Sequence, residues 1–146
     1  MSIKQRAPVF LAIGAFTMIV LVTGHAHSVP TETAAMHRIF EIRTYTTEPG
    51  KLPNLLARFR DHTTKLFEKH GMTNIGYWTP TDEPRSKNTL IYILAHDSRD
   101  AAKKSWDAFK ADPDWIKARN ASEASGKIVA KVESIYADPT DFSAIK

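Results

Sequence analysis

The sequence has 146 residues, with 20 Lys and Arg against 16 Asp and Glu, a formal charge of +4 and no Cys. That length accommodates one ordinary domain and excludes a multidomain enzyme, while the absence of Cys excludes disulfides, thiolate metal sites, iron–sulfur ligation and a Cys nucleophile. The basic residues are interleaved with acids, so the concentrated basic stripe of a nucleic-acid surface is missing.

Residues 1–26 read as a sorting segment. Lys4 and Arg6 precede the apolar run Ala7–Val22, and Thr23-Gly24-His25-Ala26 supplies small residues for a cleavage site after Ala26. As a helix that run would rise only about 24 Å, short of the ~30 Å hydrocarbon core, so a cleaved signal peptide is expected in place of a retained anchor. Loss of Lys4 and Arg6 lowers the formal charge from +4 to +2. The expected mature protein is periplasmic or secreted, with no membrane attachment after cleavage.

Residues 27–36 are polar and aperiodic and read as a flexible lead to a domain over 37–146. A first strand, His37–Thr46, alternates Phe40, Ile42 and Thr44 against Ile39, Glu41, Arg43 and Tyr45. Pro49-Gly50 marks a turn. Leu52, Leu55, Leu56, Phe59, Thr63, Leu66, Phe67 and His70 then follow at helical spacing, with Arg58, Asp61 and Lys65 on the opposite side. Pro53 is tolerated in the first turn, and Gly71 suits the exit.

Met72–Thr79 reads as a second strand, with Ile75 and Tyr77 against Gly76 and Trp78. A polar loop leads to Thr89–Ala95, which is apolar on both faces and therefore central. A helix from Asp97 or Ser98 to Ala111 buries Ala102, Ser105, Trp106 and Phe109. Asp112-Pro113 caps and restarts a second helix towards Gly126. Lys127–Tyr136 is the last strand.

The order βαββαβ predicts an α+β, ferredoxin-like sandwich: a four-stranded antiparallel sheet with helices on one face. Both sheet faces are apolar, as Ile39 against Phe40, Ile91 against Tyr92 and Val129 against Ile128 illustrate. A small monomer seldom leaves such a face in water, so a homodimer with its sheets packed face to face is expected.

At this point the residues resemble a known family. Phe40-Glu-Ile-Arg-Thr-Tyr-Thr46 with Pro49-Gly50-Lys51 resembles the opening strand and turn of the NIPSNAP family. Trp106-Asp-Ala-Phe109, Asp112-Pro-Asp-Trp115 with Arg119, and Pro139-Thr-Asp-Phe-Ser143 resemble its later segments. The resemblance spans about His37 to Lys146 and implies the dimeric α/β-barrel superfamily. It supplies no catalytic residues to carry over; relatives in the wider superfamily include haem-degrading proteins, small monooxygenases and lactone isomerases.

No nucleophile elbow, phosphate loop, zinc-binding helix or dinucleotide fingerprint occurs. The topology gathers His37, His70 and His96 at one end of the domain, where three imidazoles are weak metal or haem candidates. Their spacing fits no metal motif, so neither a metal nor a cofactor is expected. Glu41 and Arg43 share a face with Tyr45, and Lys131 and Glu133 share the Val129/Ile135 face of the neighbouring strand. Opposite-sign pairs across these strands are therefore expected. Glu41, Arg43, Tyr45, Tyr77 and Trp78 are the candidate ligand-binding residues, orienting a small polar-headed apolar molecule between helices and sheet. Trp106 and Phe109 are assigned to the core. The residues leave two readings open: a ligand-binding protein, or a cofactor-free oxygenase or isomerase using Arg43, Tyr77 or a His. A purely structural partner-binding module is the third.

Overall fold

The computed structural model describes residues 38–146. The expected signal segment, the lead and His37 lie outside the described residues. Strands β1 (Ile39–Thr47), β2 (Thr73–Trp78), β3 (Thr89–His96) and β4 (Val129–Ala137) form one antiparallel sheet in the order β2-β3-β1-β4. This is the split βαβ arrangement: each helical crossover leaves a slot between two parallel strands, and a strand from the other half fills it.

The first crossover is α1 (Leu52–Arg58), a wider turn Phe59–Thr63, and α2 (Thr64–Lys69). In the wider turn the Thr64 N–H reaches back five residues to the Phe59 carbonyl. Gly71 ends the helix with φ +76°, a conformation that costs a Cβ-bearing residue energy. The second crossover is α3 (Arg99–Ala111) and α4 (Pro113–Ser122). Ser98 Oγ accepts from the Ala101 N–H at 3.0 Å to cap α3, and Asp112 Oδ1 accepts from the Asp114 N–H at 2.7 Å to cap α4. Among the described residues no helix is long and apolar enough to cross a membrane.

The core lies between the helices and one sheet face, where Leu55, Phe59, Phe67, Tyr92, Leu94 and Phe109 are buried together. Phe59, Phe67 and Tyr92 meet edge-on or stacked at centroid separations of 5.2–6.1 Å. The helices lie mainly over β2 and β3, and β4 packs chiefly on β1. A furrow therefore opens between α3 and the inner face of β1 and β4.

Two bulges correct the expected strand faces. Thr46 pairs with Lys131 but Thr47 with Val129, so Ala130 is an extra residue in β4. An odd residue inverts every side chain beyond it. Val129 keeps the helix side, whereas Lys131, Glu133 and Ile135 turn to the opposite face beside Thr46, Thr44 and Ile42. The expected pairing of Lys131 and Glu133 with Glu41 and Arg43 does not form. Lys131 and Glu133 bond each other at 2.9 Å in solvent, and Ser134 and Tyr136 stand opposite Arg43 and Glu41. A second bulge, at Ile75, separates Ile75 from Tyr77: Tyr77 joins the helix face next to Tyr92, and Ile75 joins Ile42 and Ile93 on the other. Arg58, expected in solvent, is buried where α4 crosses α1, bonding Ser122 at 3.2 Å and Glu123 at 3.3 Å.

Candidate functional site

β1 directs Glu41 and Arg43 inward because they alternate with Phe40 and Ile42, which take the outer face. Glu41 is 1% exposed and accepts four hydrogen bonds, two at each oxygen. Oε1 receives Arg43 Nη1 at 2.5 Å and Ser134 Oγ at 2.6 Å; Oε2 receives Trp106 Nε1 at 2.6 Å and His96 Nε2 at 3.2 Å. The donors come from β1, β4, α3 and β3, so this one carboxylate joins three strands to the second crossover. Burial pushes its pKa up, but the bonds from His96, Ser134 and Trp106 and the charge of Arg43 outweigh burial and hold it at about 2.

Arg43 runs out from this centre towards the furrow. Its guanidinium carbon lies 4.2 Å from the Trp106 ring centroid and 5.6 Å from that of Tyr45. Nη2 reaches Tyr45 Oη only at 3.4 Å, and Nε is buried without a partner. Burial works against the Arg43 charge, yet nearby Tyr92, Tyr45 and Glu41 more than offset it, and the group stays protonated. Burial raises the pKa of Tyr136 and Tyr77, which also remain protonated at neutral pH. With its lone pairs satisfied, Glu41 holds Arg43 in place and is not a free base. The centre offers a fixed cation and hydrogen-bond donors, which suits orienting or polarising a ligand.

The furrow has two lobes. One, of about 620 Å³, is walled by Glu41, Arg43, Ser134 and Tyr136 and by the outer turns of α3. Arg99 lies 3.7 Å over the Tyr136 ring at its mouth. The other, of about 320 Å³, runs from Arg43 and Tyr45 past Trp106 to Trp115 and Arg119.

The sequence matches the NIPSNAP family over residues 40–144, nearly all of the described chain. The chain belongs to the NIPSNAP family. Among solved structures it is similar to a NIPSNAP family protein of unknown function from Agrobacterium tumefaciens, with 24% identity and a TM-score of 0.64 over 77% of this chain and 96% of that one. A second NIPSNAP family protein from that species has 23% identity and a TM-score of 0.66 over 75% and 100% of the two chains. A monooxygenase from Streptomyces coelicolor, solved with the ligand nanaomycin D, has 13% identity and a TM-score of 0.52 over 72% and 89%. These likenesses bear on the fold, which matches dimeric α/β-barrel structures. No curated protein matches the chain.

The NIPSNAP chain brings together some of the sequence-predicted site residues and separates others. Glu41, Arg43 and Tyr45 converge at the furrow. Tyr77 shares their face but sits two strands away, its Oη bonded to Asn74 and its ring stacked on Tyr92 at 5.4 Å. Trp78 lies on the opposite face, half exposed and packed over Gly76, where an added Cβ would come within 2.4 Å of the indole. His70 and His96 serve different carboxylates: His70 bonds Asp112 at 2.6 Å, and His96 bonds Glu41. Among the described residues no group of three His, Cys, Asp or Glu is placed to hold a metal ion. Phe109 is core and also reaches the smaller lobe, whereas Trp106, assigned to the core from sequence, lines both lobes and donates to Glu41. Ser134, Tyr136, Arg99 and Trp115 went unrecognised as site residues. Ser134 and Tyr136 alternate with the apolar positions of β4, but the Ala130 bulge hides which face they take.

Proposed function

We propose that this NIPSNAP protein is an exported homodimer that binds a small organic ligand in the furrow between α3 and the inner face of β1 and β4. The observation that carries the ligand reading is Arg43. A buried carboxylate with four donors fixes this guanidinium beside an aromatic-walled furrow, at a desolvation cost that packing alone does not require. The outer sheet face supports the dimer: Ile42, Ile93 and Ile135 stand together there, and Ile135 is 62% exposed. Export rests on the basic, apolar and small-residue pattern of residues 1–26.

A second reading, a cofactor-free oxygenase or isomerase, draws on the fold shared with the Streptomyces coelicolor monooxygenase. Of its expected polarisers among the described residues, only Arg43 faces the furrow. Tyr77 is outside it, and His96 is occupied by Glu41.

Native mass spectrometry of protein purified from the exporting compartment tests the proposal. The expected species is a dimer of chains beginning at His27 with additional non-covalent mass. An intact Met1 would refute cleavage, and a monomer would refute the dimer. An empty dimer that consumes a candidate substrate would replace the binding reading with the enzymatic one.

A further inference from the structure

We infer that the ligand is an organic anion with a planar aromatic body, its charge met by Arg43 and Arg119 and its ring by Trp106 and Trp115. The inference rests on the ligand-binding reading above and adds the class of compound.

The two lobes differ in charge. The larger carries both signs, with Asp100 and Asp107 among its lysines and arginines. Among the described residues the smaller has no carboxylate in its lining but three cations, Arg43, Lys110 and Arg119. Lys110 is answered from outside that lining by Asp107 at 3.1 Å. Arg119 reaches only the Asn120 side-chain oxygen, at 3.5 Å, and has no ion pair among the described residues. Arg43 leans on Glu41 through Nη1, while Nη2 makes only the long contact to Tyr45. Two guanidinium groups thus retain donor capacity beside one lobe. A neutral guest would leave that positive field unanswered, and a cation would be repelled.

The walls set the shape. Tyr45, Trp106, Phe109 and Trp115 line the same lobe, with Trp106 and Phe109 at 5.6 Å and nearly perpendicular, and Phe109 and Trp115 at 4.5 Å. Aromatic walls set at different angles give a flat guest both a stacking face and an edge contact. The volume of about 320 Å³ accommodates a fused bicyclic ring with one acidic group. Arg58 lies against Trp115 at 5.2 Å, but its charge is paired with Glu123.

Isothermal titration calorimetry of the purified protein with 2-naphthoate and its neutral analogue 2-naphthalenemethanol tests this. Naphthoate should bind at least about tenfold more tightly than the alcohol, and its affinity should fall with added salt. Arg119→Gln is on an exposed helix surface and should keep the wild-type unfolding midpoint. It should weaken naphthoate about tenfold and leave the alcohol unchanged. Equal binding of acid and alcohol, or naphthoate binding indifferent to Arg119→Gln, would overturn the anion class while leaving the furrow a ligand site. Binding of neither probe would overturn the inference together with the ligand-binding reading.

Discussion

The two faces of the sheet handle unfavourable groups in opposite ways. On the helix side, β1 buries the Glu41 carboxylate and holds the Arg43 guanidinium half-buried at the furrow, and three other elements supply donors to Glu41. On the outer side, β1, β3 and β4 leave Ile42, Ile93 and Ile135 with, among the described residues, only the chain after Ala137 folded over one end, through Pro139, Ser143 and Ile145. A buried charge is tolerated when every lone pair is met; an exposed apolar face has no internal remedy. The first arrangement is complete within one chain and underlies the proposed ligand site. The second would be completed by the proposed second copy.

Breaking the helix-side centre should have the largest effect. Glu41→Ala leaves Arg43, Trp106 and His96 facing a void without their acceptor, and should cost about 3–5 kcal/mol in urea unfolding. The pH dependence has a definite sign. The folded-state pKa of Glu41, about 2, lies below its ordinary 4.5, so its stabilisation is present above about pH 4.5 and is lost as the pH falls towards 2. Wild type should lose on the order of 3 kcal/mol more across that window than Glu41→Gln, which has no carboxyl to protonate. Parallel curves for the two proteins would mean that Glu41 is not held ionised by its partners.

The outer face is tested next, at Ile135. Ile135→Asp puts a charge in the middle of the proposed interface, where the mutated residue of each copy would be desolvated, and should weaken the dimer at least about a hundredfold. Sedimentation velocity reads this directly, and the circular dichroism of the monomer should match wild type because Ile135 makes no part of the core. Val129, from sequence an equivalent choice, packs against the core on the helix side and would only destabilise the subunit. An undiminished dimer in Ile135→Asp would place the interface elsewhere.

A smaller change separates the centre from its accessories. Ser134→Ala removes one of the four donors to Glu41 from the exposed strand β4, where water can take its place, and should cost only about 1 kcal/mol. The acid transition should move upward at the same time, since the carboxylate loses a bond that favours its charged form. A loss as large as that of Glu41→Ala would show that Ser134 holds the strand in register as well as capping the charge.

The sequence made periods legible and left register hidden. Alternation in β1, the two-faced apolar run of β3 and the helical stripe from Leu52 to Phe67 follow from side-chain geometry within one element; both strands formed as read, and the stripe formed a helix with a wider turn at Phe59–Thr63. The bulge at Ala130 carries no Gly or Pro, so nothing local announced that Lys131 and Glu133 would cross to the outer face; the bulge at Ile75 adjoins Gly76, a strand glycine that was the one local sign that Ile75 would part from Tyr77. Glu41 and Arg43 were recognisable as charges on an inward strand face. Their partners His96, Trp106 and Ser134 stand 55 to 93 residues away, and only the assembled topology brings them to one carboxylate. Arg58 was misplaced for a related reason, because a helical wheel does not show that a second helix crosses its flank.

The smallest effect is expected where the strand reading and the structure disagreed most. Had Lys131 and Glu133 faced inward, they would belong to the Glu41 centre and their loss would be costly. Instead they pair with each other in solvent, with 63% and 56% of their side chains exposed. Such a pair gains little because water already stabilises both ions and salt screens them. In the monomeric Ile135→Asp background, where no second copy covers the outer face, Lys131→Ala should leave the urea midpoint unchanged. The background matters, since in the proposed dimer the same substitution would also report on the interface. A midpoint drop comparable to that of Ser134→Ala would mean that β4 is paired without the Ala130 bulge, with Lys131 turned towards Glu41. It would also remove Ser134 and Tyr136 from the furrow.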